Sequence, residues 1–160
     1  MKEKILKIIE NNGNLTITQI AVLLGVDENT VRSEINLMKN DGIILGYKAV
    51  IDWEKTERQL VTALIEVRVH PQKGIGFDSV ADKISSYEQV TACYLMSGGY
   101  DLSVMIEGKD FKDIALFVAE KLAIIDGVLS TATHFVLKKY KDVGVHFIEK
   151  PEDDREAIIL

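Results

Sequence analysis

The chain carries a single cysteine, Cys93, in 160 residues. One thiol excludes an internal disulfide framework and a cysteine-based zinc cluster. No apolar run approaches the roughly 20 residues that span a bilayer. The opening MKEKILKIIE interrupts its apolar residues with charge and does not read as a signal peptide, so a cytoplasmic protein with no membrane partner is expected. His70, His134 and His146 lie far apart and form no short-spaced ligand pair, so no metal site is expected. Gly74-Ile75-Gly76 lacks the further glycine and the Lys-Ser/Thr of a phosphate loop. Asp101 and Glu107 are too far apart for a carboxylate dyad, and no nucleophile–base pair is recognisable. Neither catalysis nor a cofactor is expected.

An excess of positive charge is missing as well. The net charge is −6, which argues against an indiscriminate nucleic-acid binder. Its distribution is uneven. Residues 1–48 hold six basic and six acidic residues, whereas 149–160 hold five acids against Lys150 and Arg155. Half of the net charge therefore sits in that final stretch, whose acidic half reads as solvated. With 47% hydrophobic and 28% charged residues the rest is ordinary globular sequence.

What is present begins with helical periodicity. Ile5, Leu6, Ile8 and Ile9 form one stripe over residues 2–11, ended by Asn12-Gly13-Asn14. Thr16 suits the N-cap of a second helix with Ile17, Ile20, Ala21 and Leu24 inward, broken at Gly25. Asp27 suits the N-cap of a third, with Val31, Ile35 and Met38 inward. Two short helices joined at Leu24-Gly25-Val26 and packed on a leading helix predict a helix-turn-helix unit, with Gly46–Trp53 as its wing or a departing strand. The outward positions of the third helix are Glu28, Asn29, Arg32, Ser33 and Asn36. Asn and Arg make bidentate contacts with adenine and guanine when such a helix enters the major groove. A trihelical packing module with a solvated polar face would look the same.

Residues 54–60 form a charged break, and period-two alternation follows it. Val61 to Val69 predicts a strand, Phe77 to Ile84 a helix, and Val90 to Glu107 a hairpin. Asp110 caps a helix with Phe111, Ile114, Ala115, Val118, Leu122 and Ile125 inward, and Val128 to Lys138 is a last strand with Leu129, Thr131, Thr133, Phe135 and Leu137 on one face. The order βαββαβ places both helices on one side of a four-stranded antiparallel sheet, the ferredoxin-like plan. In the hairpin, Val90, Ala92, Tyr94 and Met96 are expected on the buried face, and Leu95, Met105 and Val136 on the open one. An apolar open face is usually a subunit interface, so dimerisation is expected.

Between the hairpin strands lies Ser97-Gly98-Gly99-Tyr100-Asp101. Two glycines are expected to supply the φ > 0 positions of a tight turn and to leave N–H groups unshielded. Donors beside a hydroxyl and a carboxylate suit a small polar ligand, and they equally suit a plain turn.

The chain resembles the Lrp/AsnC (leucine-responsive) family of transcription regulators over about residues 1–147. The resemblance rests on Leu24-Gly25-Val26, Thr30-Val31, Ile35 and Gly42-Ile43-Ile44-Leu45-Gly46-Tyr47 in the first part. In the second it rests on Ser97-Gly98-Gly99-Tyr100-Asp101-Leu102 and Thr131-Ala132-Thr133. It implies an α+β protein: a helix-turn-helix DNA-binding domain at 1–48, a strand and linker at 49–60, a ferredoxin-like ligand-binding and dimerisation domain at 61–147, and an acidic tail at 148–160. The implied partners are double-stranded DNA and an amino acid or similar small effector. The implied assembly is a homodimer and dimers of dimers, a tetramer or octamer. Arg32, Ser33 and Asn36 would read bases, helped by Asn29 and Thr30, with Thr18 and Gln19 on the backbone. The effector would meet Ser97, Gly98, Gly99, Tyr100, Asp101, Thr131 and Thr133, near a seam between subunits. The chain departs from the family pattern at Glu34, where an arginine is usual, at Leu37, where a basic residue is usual, and at Gly99, where many members have a polar or acidic residue. The alternative is a ligand-binding or assembly module with weak or lost DNA binding.

Overall fold

The computed structural model describes residues 1–70 and 76–147. Most of the Gly74–Gly76 loop and the whole acidic tail therefore lie outside the described residues. The chain divides into two compact units, Met1–Val50 and Ile51–Leu160.

The first unit has three helices: α1 (Lys2–Asn11), α2 (Ile17–Leu24) and α3 (Glu28–Asn40). Ile5, Ile20, Ala21, Val31, Ile35 and Met38 are buried together, at the helical spacings that put them on facing stripes. Each buried aliphatic side chain stabilises the unit by about 1.5–3 kcal/mol relative to exposure. The Thr16 hydroxyl accepts from the Gln19 N–H at 3.2 Å, and the Gln19 side-chain oxygen accepts from the Thr16 N–H at 2.9 Å, a reciprocal cap on α2. Gly25 ends that helix at φ 65° and ψ 36°, a left-handed conformation that costs any L side chain about 1 kcal/mol or more. Gly46 to Trp53 forms no ladder among the described residues. Tyr47 instead packs near Gly13, where an added Cβ would sit 3.2 Å from its ring.

The second unit opens with a 3-10 turn at Trp53–Lys55. It continues through β1 (Val61–Val69), α4 (Asp78–Ser85), β2 (Val90–Leu95), β3 (Leu102–Gly108), α5 (Phe111–Phe117) and β4 (Val128–Phe135). A small hairpin, β5 (Lys141–Asp142) and β6 (Val145–His146), follows. The antiparallel sheet has the order β2-β3-β1-β4. Ala63, Ile65 and Val67 of β1 and Leu102, Val104 and Ile106 of β3 share one buried cluster with Val80, Ile84, Ile114 and Leu122 of the helical side. Both helices therefore cover the same sheet face, and the βαββαβ plan is the observed one.

Three details depart from the simple alternation. Val90 pairs with Ile106 but Ala92 pairs with Met105, so Thr91 is an extra residue and the strand slips one phase. Val90 and Cys93 therefore pack on the core, while Tyr94 and Met96, expected to be buried, are exposed. Leu95 pairs with Leu102, on the register of the helix-facing set rather than of the open face. A second irregularity, between Arg68↔Ser130 and Val69↔Val128, leaves Leu129 unpaired and 66% exposed. Third, α5 widens into a π-turn over Val118–Leu122. Phe117, three residues after Ile114 and just before that turn, is buried although the expected stripe omits it, and Ala115 is exposed. Phe111, also expected inside, is 56% exposed and meets Phe135 edge-on with centroids 4.8 Å apart.

Candidate functional sites and family

The polar face of α3 is built from its N-terminus. Asp27 accepts from the Asn29 and Thr30 N–H groups at 2.9 and 3.1 Å, and the Thr30 hydroxyl also donates to its carboxylate. These hydrogen bonds, the Thr30 hydroxyl first, hold the Asp27 carboxyl below its ordinary value and keep the cap ionised beside the helix N-terminus. Asn29, Arg32, Ser33 and Asn36 are exposed on the helix that this cap anchors. Thr30 is half-buried, and its hydroxyl is engaged with Asp27. Thr18 and Gln19 are exposed on α2, but the Gln19 side-chain oxygen is committed to the α2 cap. Glu34 is half-buried, and its Oε2 is buried with no hydrogen-bond partner among the described residues.

The glycine-bearing connection is a six-residue loop over 96–101 rather than a two-residue turn, closed by the Met96 N–H on the Asp101 carbonyl at 2.8 Å. Only one of its two glycines has positive φ: Gly98, at 142°. Ser97, Gly98 and Gly99 are exposed, while Tyr100 and Asp101 are half-buried. The Asp101 carboxylate accepts from the Val69 N–H at 2.7 Å, and the Asp101 N–H donates to the Val67 carbonyl at 3.0 Å. Asp101 therefore clasps the end of β1. Sequence reasoning missed this role, because the partners are non-local backbone groups.

Thr131 and Thr133 pair with Val67 and Ile65, and both are half-buried on the helix-facing side of β4. Val67 pairs in turn with Leu102. Two inter-strand spacings, roughly 10 Å, thus separate Thr131 from the start of β3, so one chain does not bring the threonines to the glycines. Two cavities of this unit lie elsewhere, about 340 Å³ beside Trp53 and Arg58 and about 510 Å³ beside Tyr87 and Ile124.

On the open sheet face, Ala92 and Tyr94 of β2 lie beside Met105 and Ser103, and Leu64 and Glu66 of β1 lie beside His134 and Ala132. His134 Nε2 is 3.4 Å from Glu66 Oε1. Burial raises the Cys93 thiol above its ordinary value, partly offset by a hydrogen bond from Ser85. Among the described residues no cluster of three His, Cys, Asp or Glu side chains could hold a metal ion, and no helix is long and apolar enough to cross a membrane.

Comparison with known proteins places both units. Residues 62–145 match the Lrp/AsnC ligand binding domain, and residues 1–44 match a winged helix-turn-helix DNA-binding domain. An uncharacterized HTH-type transcriptional regulator of Bacillus subtilis, YugG, is 43% identical over 98% of this chain and 94% of its own length. The HTH-type transcriptional regulator LrpA of Pyrococcus abyssi is 33% identical over 86% of this chain and 94% of its own. The fold is shared with the transcriptional regulator NMB0573 of Neisseria meningitidis, solved as an L-Met complex. The two agree with a TM-score of 0.72 at 23% identity, over 88% of this chain and 90% of that one. A trihelical unit with a capped polar helix, a βαββαβ unit and these relatives lead to one conclusion. The chain belongs to the Lrp/AsnC family of HTH-type transcriptional regulators.

Proposed function

We propose that the protein is a cytoplasmic, non-catalytic regulator that binds double-stranded DNA sequence-specifically through α3 and changes that binding when an amino acid or similar small zwitterion occupies the second unit. The observation that carries the DNA reading is the exposed run Asn29, Arg32, Ser33 and Asn36, anchored by the Asp27 cap on a buried trihelical core. Arg32, Ser33 and Asn36 face base edges, helped by Asn29 at the start of the helix. Thr30 serves the cap, and Thr18 and the Gln19 amide NH₂ face the DNA backbone.

The effector reading rests on the loop 96–101. The exposed N–H groups of Gly98 and Gly99 suit a ligand carboxylate, and the Asp101 oxygen not bound to Val69 suits its ammonium. Ser97 and Tyr100 flank them. Thr131 and Thr133 join from a neighbouring subunit, which is why the ligand sits at a seam. The open sheet face, with Tyr94, Met105 and Leu64, is the dimer surface, and dimers assemble further into tetramers or octamers. NMB0573, with its L-Met complex, supports an amino acid as the ligand class.

A salt series on the protein's own upstream DNA tests the reading. Affinity for that region should exceed affinity for random DNA and fall steeply with salt. Equal affinity for both at low salt would remove the regulator assignment and favour the assembly-module alternative.

A further inference from the structure

Arg32, Asn36 and Lys39 follow at i, i+4 and i+7 on one flank of α3. They line a cleft of about 450 Å³ together with Thr16 and Ile17 at the start of α2 and with Tyr47. Among the described residues no acidic one lines this cleft, in a segment where acids and bases otherwise balance. Lys39 is held in place: its ammonium lies 5.4 Å from the centroid of the Tyr47 ring, and that ring is seated near Gly13. Glu34, two residues from Arg32 and thus about 160° around the helix, is on the far flank.

We propose that this cleft holds one backbone phosphate of the DNA, gripped by Arg32 and Lys39, with Tyr47 as the positioning residue for Lys39. The assignment rests on the DNA-binding reading and sharpens it. Arg32 becomes a phosphate ligand rather than a base reader, and Lys39 and Tyr47 join the interface. Base discrimination is left to Asn29 and Ser33 on the crest of the helix, with Asn36 at the border between that crest and the cleft. A guanidinium and an ammonium on opposite sides of a phosphodiester neutralise it without reading sequence.

The experiment is a salt titration of Arg32→Gln, Lys39→Gln and wild-type protein on the upstream region and on random DNA, with thermal melts confirming folding. Both side chains are exposed, so both variants should fold. Each variant should lower the slope of log affinity against log salt by about 0.9 and weaken binding about eightfold at 0.1 M salt. The loss should be the same on both DNAs. Tyr47→Leu should weaken binding only when Lys39 is present, a coupling read from the double variant. If Arg32→Gln erases the preference for the upstream region, Arg32 is a base reader and the assignment falls. Wild-type binding with unchanged slopes in both variants overturns the cleft alone. Absence of wild-type binding to any DNA overturns the DNA reading as well.

Discussion

The carboxylate of Asp101 accepts a 2.7 Å hydrogen bond from the backbone N–H of Val69, a residue 32 positions earlier in the chain. The Asp101 N–H also reaches the Val67 carbonyl, so one residue at the hairpin loop secures the end of β1 through both backbone and side chain. Asp101→Ala should destabilise the second unit by about 1–3 kcal/mol, since it leaves a part-buried donor without its acceptor. Asp101→Asn keeps an acceptor and removes the charge. It should melt near the wild-type temperature yet lose any stabilisation by an amino acid. Loss of stability in the asparagine variant would show that the charge itself holds the strand.

A pH dependence belongs to the first unit. Hydrogen bonds hold the Asp27 carboxyl below 3.8, its unfolded-chain value. The stability it contributes is therefore fully present above that value and is lost as the pH falls through the lower folded value. Helix signal followed in acid should show Asp27→Asn losing less stability than wild type below about pH 4, since asparagine caps without titrating. Identical acid transitions for the two proteins would remove Asp27 from the account.

Glu34 carries on α3 a buried oxygen with no hydrogen-bond partner among the described residues. Glu34→Arg replaces a negative charge with a positive one on the helix proposed to enter the DNA. It should strengthen binding severalfold on upstream and random DNA alike and steepen the salt dependence. Weaker or unchanged binding would place this flank away from the phosphates.

Cys93 packs against the core of the second unit, and burial raises its thiol. Alkylation near pH 8 should therefore be slow in the native protein and become fast on unfolding, because the thiolate is the reactive form. Fast native alkylation would contradict the register that places Cys93 opposite Val104.

The helices and the topology were legible because their signals are local and repeated. Thr16, Asp27 and Gly25 punctuate the first unit, and the stripe Val31, Ile35, Met38 faces its core as periodicity requires. In the second unit the β1 alternation and the Asp110 cap were equally readable. The errors fall where one residue shifts a period. Thr91 and Leu129 are bulge residues, and neither differs in type from an ordinary strand residue. They exchanged Tyr94 for Cys93 on the core face and put Leu129 outside. In α5 the error was one of phase, since Phe117 rather than Ala115 joins Ile114 and Val118 on the core face. The candidate effector loop was visible as Gly98-Gly99, but the commitment of Asp101 to Val69 was not. That bond joins groups that only the folded sheet brings together.

The central claim is that ligand occupancy and DNA binding are coupled. Thermal melts against the twenty amino acids select the ligand, since one present at about 100 times its dissociation constant adds roughly 2.7 kcal/mol. The deciding measurement is the dissociation constant for the upstream DNA with and without that amino acid at one fixed salt. A coupling of about 1–3 kcal/mol, or about 5–150-fold in affinity, is the predicted result. A flat melting panel, together with a DNA dissociation constant that no amino acid changes, would contradict it.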